Sequence, residues 1–351
     1  MEVTVGPTKG DHGRRQQVAV ADRMNHPGGA TVKISIGIIT RERPKLLTRL
    51  LDSLLKLSLD AKFSIVFIVV ENNHQKTLEA ELSRFQTAAP SASVIYELEP
   101  RIGIPCARNR AVDIAIRSGC NLHAFVDDDE QVDPNWLENL TRSLDSRQLD
   151  LVGGPMRLGT CPDTASRWER VIWNSLVHRQ SRIERSAKKK WTAKQDGNVM
   201  LATNNWLINL EWLRKAKLRF DESLRLSGGS DALFFRQAKL LGIRSGWAPD
   251  AITHEHIPET RLSVAYQFCR GRDQMICSYR AKYSRTSFRL LLRSLLFVTY
   301  KSLTAGFLLC FSALNRGRSL VRSIRLLGGV AGRIAAIFGG RSRHYEIVHG
   351  D

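Results

Sequence analysis

Residues 33–55 read KISIGIITRERPKLLTRLLDSLL, and the fold class can be inferred by starting from them. Its first eight residues form a short, isoleucine-rich apolar run, which is typical of a strand buried on both faces of a parallel sheet. Pro44 follows where the first turn of a helix tolerates proline. The leucines that come next recur at helical spacing and predict a helix with one apolar face. The stretch therefore predicts one β-α unit.

The same alternation repeats three more times before residue 150. Strands are predicted at 64–70, 93–99 and 123–126, and helices at 78–85, at 104–117 and from Pro134 onward. Strands that alternate with helices indicate an open, mostly parallel sheet with helices on both faces. The predicted fold class is therefore α/β, with a Rossmann-like sheet.

The pattern loosens after residue 151. Residues 153–200 contain Gly-Gly-Pro, three tryptophans and a basic run, and they predict a long mobile loop. Regular structure is predicted again at 204–215 and 228–242. We expect four regions, namely a disordered tail at 1–30, two halves of the α/β domain at 31–150 and 151–270, and a basic helical region at 271–351.

The charge of the chain is concentrated near its C-terminal end. The 351 residues include 53 Lys and Arg against 34 Asp and Glu, a formal net charge of +19. Between Arg261 and Arg343 lie 16 basic residues and one acid, Asp273. Such a segment predicts an anionic partner. The rest of the composition is ordinary for a globular protein, at 43% hydrophobic and 25% charged residues, and excludes wholesale disorder or a polytopic membrane protein.

Two apolar segments within this basic region suggest what the partner is. Residues 295–314 and 319–338 mix arginine or lysine with long apolar faces, as do helices that lie in the headgroup region of a bilayer. One or two shallow insertions, or an ordinary soluble core, are the alternatives. Nucleic acid would also explain the charge, but the apolar content favours lipid. We therefore expect an anionic membrane surface and no nucleic acid.

Three consecutive acids, Asp127, Asp128 and Asp129, follow the fourth predicted strand. Ligands of open α/β sheets bind outside the carboxyl ends of the strands, which is where these acids fall. Because side chains alternate, Asp127 and Asp129 can point the same way while Asp128 points away. Two carboxylates on one side suit Mg²⁺ or Mn²⁺, with the remaining ligands from water and phosphate. A solvated acidic turn that caps the helix at Pro134 is the alternative.

Other polar residues fall at neighbouring strand ends. Glu71 ends the second predicted strand and could accept hydrogen bonds from a nucleotide, or it could satisfy amides of its own turn. Arg43 and Arg108 lie at two other strand-to-helix junctions and could approach a diphosphate. Each of the two could equally be a surface arginine.

Asp231 and a histidine pair come from the second half of the chain. Asp231 follows Gly228-Gly229-Ser230 and precedes a helix, where it could accept a proton or simply act as the cap. His254 and His256 would share one face of a strand at 252–257. They could supply a metal ligand, but a buried or surface pair is the commoner arrangement.

Together these segments resemble the family 2 inverting glycosyltransferases of the GT-A fold, and among them the bacterial exopolysaccharide enzymes similar to the succinoglycan type. The match runs from about residue 33 to residue 270. It is carried by IGIITRERP, VVENN, GIPCARNRAVDIA, FVDDDEQVDPNWL, GGSDALFFRQAKLLG and WAPDA. Two positions depart from the family pattern. Glu71 replaces the usual Asp, and Ser230 precedes Asp231 where the family usually has an acidic pair.

The resemblance implies an inverting hexosyltransferase that uses a nucleotide-sugar donor, with UDP favoured, and a saccharide acceptor. It implies Asp231 as the catalytic base and a Mg²⁺ or Mn²⁺ ion on Asp127, Asp129 and His256. Residues 31–150 would be the donor half and residues 151–270 the acceptor half. The implied donor-binding residues are Thr40, Arg43, Glu71, Asn73, Arg108, Asp127 and Asp128, and the acceptor-binding residues are Trp206, Gly229 and Ser230.

The C-terminal region adds an expectation about the acceptor. A polyprenyl-diphosphate-linked saccharide would lie at an anionic membrane surface, with its diphosphate facing the arginine-rich helices. We therefore expect the chain at the cytoplasmic face of the inner membrane, peripheral or shallowly inserted.

Two competing classes remain open. A nucleotidyltransferase on a similar sheet would ordinarily have a glycine-rich phosphate loop after the first strand, but IITRERP has no glycine there. A non-catalytic protein that binds membrane or nucleic acid would explain the charge and would give Asp127, Asp129 and Asp231 no role.

Overall fold

The computed structural model describes residues 31–225, 228–283 and 288–340, and the tail predicted at 1–30 lies outside them. Ten strands of the described residues form two sheets. They are β1 Val32–Thr40, β2 Phe63–Glu71, β3 Ser93–Leu98, β4 Leu122–Asp127, β5 Glu130–Val132, β6 Leu151–Gly153, β7 Met156–Leu158, β8 Asn205–Asn209, β9 Ser245–Trp247 and β10 Thr253–Glu255. The large sheet has the order β3-β2-β1-β4-β8-β6-β9, and the small one the order β5-β10-β7.

Neighbouring strands of the large sheet are parallel except around β8. The strands β1 to β4 pair in parallel, and so do β6 and β9. β8 runs antiparallel to both β4 and β6, so among the described strands of this sheet it alone points the opposite way, and β4 and β6 share one direction. The prediction of a mostly parallel α/β sheet is confirmed.

Helices cover both faces of the large sheet. The helices of the described residues are α1 Pro44–Leu54, α2 Glu79–Ala88, α3 Ile104–Arg117, α4 Trp136–Ser146, α5 Arg167–Thr192, α6 Leu210–Ala216, α7 Ser230–Leu240, α8 Val264–Lys282, α9 Phe288–Leu314 and α10 Leu320–Ile337. The last three of these pack mainly on one another and not on the sheet. Alternate residues of β2 enter two different apolar clusters. Phe67 and Val69 pack in the cluster that holds the leucines of α1. Val66, Ile68 and Val70 pack in the cluster that holds the alanines of α3.

The prediction of a mobile loop at 153–200 is wrong, because most of that stretch forms the helix α5. Ser166 and Glu169 start the helix with a reciprocal pair of side-chain to backbone hydrogen bonds. Ile172 and Leu176 are its main apolar contacts, and they pack in a small cluster that includes Val321 of α10. The partners of α5 are therefore distant in sequence, and ten of its 26 residues are charged, which obscures its short apolar stripe.

The two C-terminal apolar segments behave differently. α10 packs closely on α8, because glycines at the contact let the two backbones approach. A Cβ atom at Gly328 would collide with the carbonyl oxygen of Phe268, and one at Gly271 with that of Arg325. α9 instead exposes most of its apolar side chains, and by length and composition it could cross a membrane. α10 is thus part of the folded body, and α9 is the segment that offers an apolar surface.

Candidate active site

A cleft of about 490 Å³ lies at the carboxyl ends of β1 and β4. The turn before α7 forms its opposite wall, where Gly228 and Gly229 adopt positive φ angles of 79° and 85° that favour glycine. Nine of the predicted site residues line this cleft. They are Thr40, Arg43, Arg108, Asp127, Asp128, Asp129, Gly229, Ser230 and Asp231.

Arg108 joins two of the acids. It lies on α3 with its side chain 4% exposed, and its guanidinium forms an ion pair with Asp231. Its second terminal nitrogen, Nη2, lies 3.3 Å from Oδ1 of Asp127. The Ser230 hydroxyl donates to Asp231 at 3.2 Å. One buried cation thus brings the acid at the end of β4 together with the acid at the start of α7.

Asp128 and Asp129 contact two other arginines. Nη1 of Arg43 lies 3.0 Å from Asp128 and 3.7 Å from Asp129. Nη1 of Arg261 lies 3.1 Å from Asp129. Asp128 was predicted to point away, but it lines the cleft, because β4 ends at Asp127 and strand alternation does not extend beyond it.

The cleft concentrates acidic groups in a poorly solvated space. Burial raises the pKa of Asp128 to about 7, with Arg43 opposing the shift and Asp129 adding to it. Burial likewise raises the pKa of Glu255 to about 7, and Asp129 adds to that shift. The pKa of Asp127 is raised by burial and by the charges of Asp129 and Asp231, against the effect of Arg108. A cation that binds in the cleft would stabilise the charged form of these carboxylates.

A divalent metal held by Asp127 and Asp129 would take its remaining ligands from outside the protein. Among the residues that the structure describes, no group of three or more His, Cys, Asp or Glu side chains is arranged to hold a metal ion. Mg²⁺ is commonly held by one or two carboxylates together with water and substrate phosphates, so two aspartates at the cleft suffice. Glu130 also lines the cleft, and its buried Oε2 has no hydrogen-bond partner within the described chain.

Four predicted site residues lie elsewhere. The ring nitrogens of His256 lie 3.3 and 3.4 Å from Arg49, and its backbone N–H donates to the carbonyl of Asp129 at 2.7 Å. Trp206 is buried in the core, where its ring packs near those of Phe125 and Phe234. These two are not among the described residues that line the cleft, and neither are Glu71 and Asn73.

Glu71 satisfies its own turn. Its carboxylate accepts hydrogen bonds from Thr77 at 2.6 and 2.9 Å, from Asn73 at 3.3 Å and from the hydroxyl of Tyr96. Burial alone would raise its pKa, but these hydrogen bonds outweigh it and lower the pKa. The observed contacts of Glu71 therefore match the alternative expectation, in which this acid satisfies amides of its own turn.

Sequence reasoning missed several polar cleft residues, among them Asn72, Arg261 and Glu255. Asn72 lines the cleft beside Glu71, and its side chain accepts from the N–H of Gly103 at 2.7 Å, which fixes the start of α3. Arg261 belongs to a short 3₁₀ turn, and Glu255 ends β10. Asn72 lay within the quoted motif VVENN, whereas no local pattern distinguishes Arg261 or Glu255.

Comparison with known proteins gives consistent matches. Residues 35–215 match the model of Glycosyl transferase family 2. The chain is 29% identical over 315 residues to the succinoglycan biosynthesis protein ExoM of Rhizobium meliloti (strain 1021), which covers 86% of this chain and 93% of that protein.

Solved structures match with lower sequence identity. The mannosyltransferase PcManGT from Pyrobaculum calidifontis, in complex with GDP-Man and Mn²⁺, superimposes with a TM-score of 0.53 at 15% identity, covering 93% of this chain and 94% of that one. TarS of S. aureus matches with a TM-score of 0.46 at 17% identity, and this chain spans 55% of its length. TarS 1–349 in complex with UDP-GlcNAc matches with the same TM-score at 14% identity, covering 88% of this chain and 93% of that one.

Proposed function

Because this chain belongs to glycosyl transferase family 2, we propose that it moves a hexose from a nucleoside-diphosphate donor to a hydroxyl of a lipid-linked saccharide, with inversion at the anomeric carbon. The observation that carries the proposal is the contact of Arg108 with both Asp127 and Asp231. Through this contact Asp127, which is suited to the donor side, lies in the same cleft as Asp231, which is suited to the acceptor side.

Asp231 is the general base of the proposed reaction. Its side chain is 34% exposed at the cleft wall, so an acceptor hydroxyl can reach it. As the acceptor oxygen forms its bond to the anomeric carbon, its proton passes to the Asp231 carboxylate. The bond from that carbon to the diphosphate breaks in the same step, and the diphosphate leaves with the electron pair. A single displacement of this kind inverts the anomeric centre.

Arginines and the paired aspartates support the leaving group. Arg43, Arg108 and Arg261 line the cleft, and guanidinium groups bind phosphate oxygens through paired hydrogen bonds. A Mg²⁺ or Mn²⁺ ion bound by Asp127 and Asp129 would neutralise the charge that grows on the diphosphate. The cleft volume lies within the range of roughly 300–1,000 Å³ that small-ligand sites occupy. We infer a UDP-sugar as the donor, since UDP is the nucleotide the family resemblance favours.

The acceptor side rests on the C-terminal region. α9 exposes a continuous apolar surface, which includes Leu295, Leu303 and Phe307, beside a strongly basic part of the chain. An anionic bilayer suits this combination of surfaces. We infer that the acceptor is a polyprenyl-diphosphate-linked saccharide at the cytoplasmic face of the inner membrane. The likeness to a succinoglycan biosynthesis protein supports a role in making a bacterial exopolysaccharide.

A donor panel tests this function. Purified protein is incubated with separate nucleotide sugars, Mn²⁺ and a membrane extract as acceptor, and the small-molecule product is identified. We expect one donor to release a nucleoside diphosphate while its sugar enters the lipid fraction. Formation of a nucleoside triphosphate and a sugar phosphate when inorganic pyrophosphate is added would instead identify a nucleotidyltransferase, and no turnover with any donor would contradict the proposal.

A further inference from the structure

A second cavity, of about 600 Å³, lies between α5, α9 and α10, outside the catalytic cleft. One wall of the cavity carries four arginines. Two come from α5, one comes from the turn before α10, and one comes from α10 itself. They are Arg179, Arg182, Arg318 and Arg322. No acidic residue belongs to the lining within the part of the chain that the structure describes.

These four arginines form no ion pair with a carboxylate of the described residues. Within the described ranges, no carboxylate lies within 4 Å of any of the four guanidinium groups. The nearby acid of α5, Glu184, pairs with Arg157 at 2.7 Å instead. Their repulsion is visible at His178, whose pKa is lowered by burial and then by the charges of Arg318 and Arg182, among others. A bound anion would relieve this repulsion, and clustered guanidinium groups match phosphate oxygens in geometry as well as charge.

The opposite wall of the cavity is apolar and belongs to α9. Leu308 and Phe311 face the cavity from this helix. The neighbouring side chains Phe307 and Leu303 are 69% and 71% exposed, so the apolar wall continues onto the open surface of α9. A site with phosphate-binding groups on one side and a hydrocarbon surface on the other suits an amphiphile rather than a free nucleotide.

The cavity adjoins the catalytic cleft. Met200 lines both, and it separates the basic cavity from the wall that carries Asp231. The basic surface also continues between them. Burial and the charges of Arg179 and Arg270 lower the pKa of Arg325 to about 9, and Arg270 lines the catalytic cleft. A sugar attached to a phosphate group in the basic cavity could therefore extend past Met200 toward the base.

We propose that the cavity between α5, α9 and α10 binds the diphosphate of the lipid that carries the acceptor saccharide, with its hydrocarbon chain lying along α9. This assignment deepens the proposed function and rests on it. It gives the chain two anion sites with separate tasks. The catalytic cleft holds the diphosphate that leaves, and the basic cavity holds the diphosphate that stays on the product.

Binding measurements on the full chain in detergent micelles test the assignment. Three probes are compared, namely farnesyl diphosphate, inorganic diphosphate and farnesol. We expect farnesyl diphosphate to bind tighter than either of the others by roughly tenfold or more, because only it meets both walls. If inorganic diphosphate binds equally well, the site takes free anions and the lipid assignment is wrong. If farnesol binds equally well, the arginines take no part.

Charge reversal identifies the cavity. Arg182→Glu with Arg322→Glu should weaken farnesyl diphosphate binding by roughly tenfold or more, since two charge-assisted contacts become repulsive. The matched control is Lys188→Glu with Lys189→Glu, which makes the same charge change on α5 outside the lining and should leave binding unaltered. Equal binding by the wild type and the cavity variant overturns the proposal. Arg182→Ala with Arg322→Ala provides a milder variant should charge reversal impair folding, as judged by thermal unfolding.

Measuring UDP binding distinguishes a failure of this proposal from a failure of the proposed function. It should be the same in the wild type and the cavity variant, because Arg182 and Arg322 do not line the catalytic cleft. Loss of UDP binding together with farnesyl diphosphate binding would assign both ligands to one site and overturn the second site. If arginine-dependent farnesyl diphosphate binding persists in a chain that transfers no sugar, the cavity stands and the transferase proposal falls.

Discussion

Arg108 and Asp231 lie 123 positions apart in the chain, and an ion pair between them closes the candidate active site. The arginine is almost completely buried, whereas a third of the aspartate side chain remains exposed. Arg108 also contacts Phe220, with its guanidinium carbon 5.7 Å from the ring centre, and this helps to fix its position. The rigid partner is therefore the cation, and it holds an accessible carboxylate beside Asp127.

Asp231→Asn removes the proposed base while keeping the size of the side chain. We expect turnover to fall by about 10²–10⁴-fold, the usual contribution of general acid–base catalysis, while the affinity for UDP stays within about twofold. Sugar transfer and calorimetric UDP binding measure the two effects. Ser230→Ala is the control, since it removes only the hydroxyl that donates to Asp231. Near-normal turnover in Asp231→Asn would remove this residue from the mechanism.

Arg108→Lys keeps a positive charge but cannot contact two carboxylates through one planar group. We expect a loss of turnover and a decrease of about 1–3 kcal/mol in the free energy of unfolding, because partly buried acids lose a partner. Denaturant unfolding measures the second effect. Arg110→Lys is a control on the same helix, since its contact with Glu97 is more exposed and such pairs contribute little. Equal stability of the two variants would show that the contacts of Arg108 do not support the fold.

The sequence allowed prediction of the fold where local signals agreed. The apolar strands, Pro44 and the leucines of α1 all indicated the same β-α unit, and α3 has the predicted bounds. The helix α5 was missed because its apolar residues find their partners, such as Val321, far along the chain. The three acids that follow β4 could be placed at the cleft because ligands of open α/β sheets bind at the carboxyl ends of the strands. The same reasoning failed for Glu71 at the end of β2, whose carboxylate is held by Thr77 and Tyr96. Arg261 could not be predicted, since only the folding of a short 3₁₀ turn brings it to Asp129.

Asp129→Asn tests the metal site. We expect the affinity for UDP in Mn²⁺ to fall to the value measured with a chelator, because one of two charged ligands is lost. Titration of UDP with and without Mn²⁺ measures the difference. His256→Ala tests whether this histidine is a metal ligand, as the resemblance implies. Because the His256 ring lies against Arg49, we expect the His256→Ala variant to keep the Mn²⁺ dependence of UDP binding. Loss of that dependence in His256→Ala would make this histidine a ligand.

The exposed surface of α9 is the expected membrane contact. Leu295→Ser, Leu303→Ser and Phe307→Ser together should release the protein from vesicles containing anionic lipid, while thermal unfolding changes little because these side chains are 62–71% exposed. Vesicle co-sedimentation measures the release. Deleting the whole C-terminal region would be a poorer test, because α10 packs on α8. Trp168→Ser with Leu240→Ser removes exposed apolar side chains elsewhere and should leave sedimentation unaltered. Equal sedimentation of all three proteins would exclude α9 as the contact.

His123 predicts how stability depends on pH. It is fully buried in β4, its Nδ1 lies 2.7 Å from the hydroxyl of Ser35, and its ring meets the edge of Phe125. Burial lowers its pKa to about 3, whereas a histidine in the unfolded chain has a pKa of about 6.5. Between these values the unfolded chain binds a proton that the folded chain does not. The stability contributed by the neutral ring is therefore complete above the unfolded pKa and decreases as the pH falls toward 3.

The contribution of His123 can be isolated with a side chain that does not titrate. Over this window the wild type should lose up to about 1.4 kcal/mol of unfolding free energy per pH unit more than His123→Gln, as measured by urea unfolding between pH 7 and 4. His74→Gln replaces an exposed histidine and should keep the wild-type slope. A Cβ at Gly37 would meet the His123 ring at 2.6 Å, so the ring packs directly against the backbone of β1. Parallel curves for the wild type and His123→Gln would show that the ring takes up its proton in the folded protein as readily as in the unfolded chain.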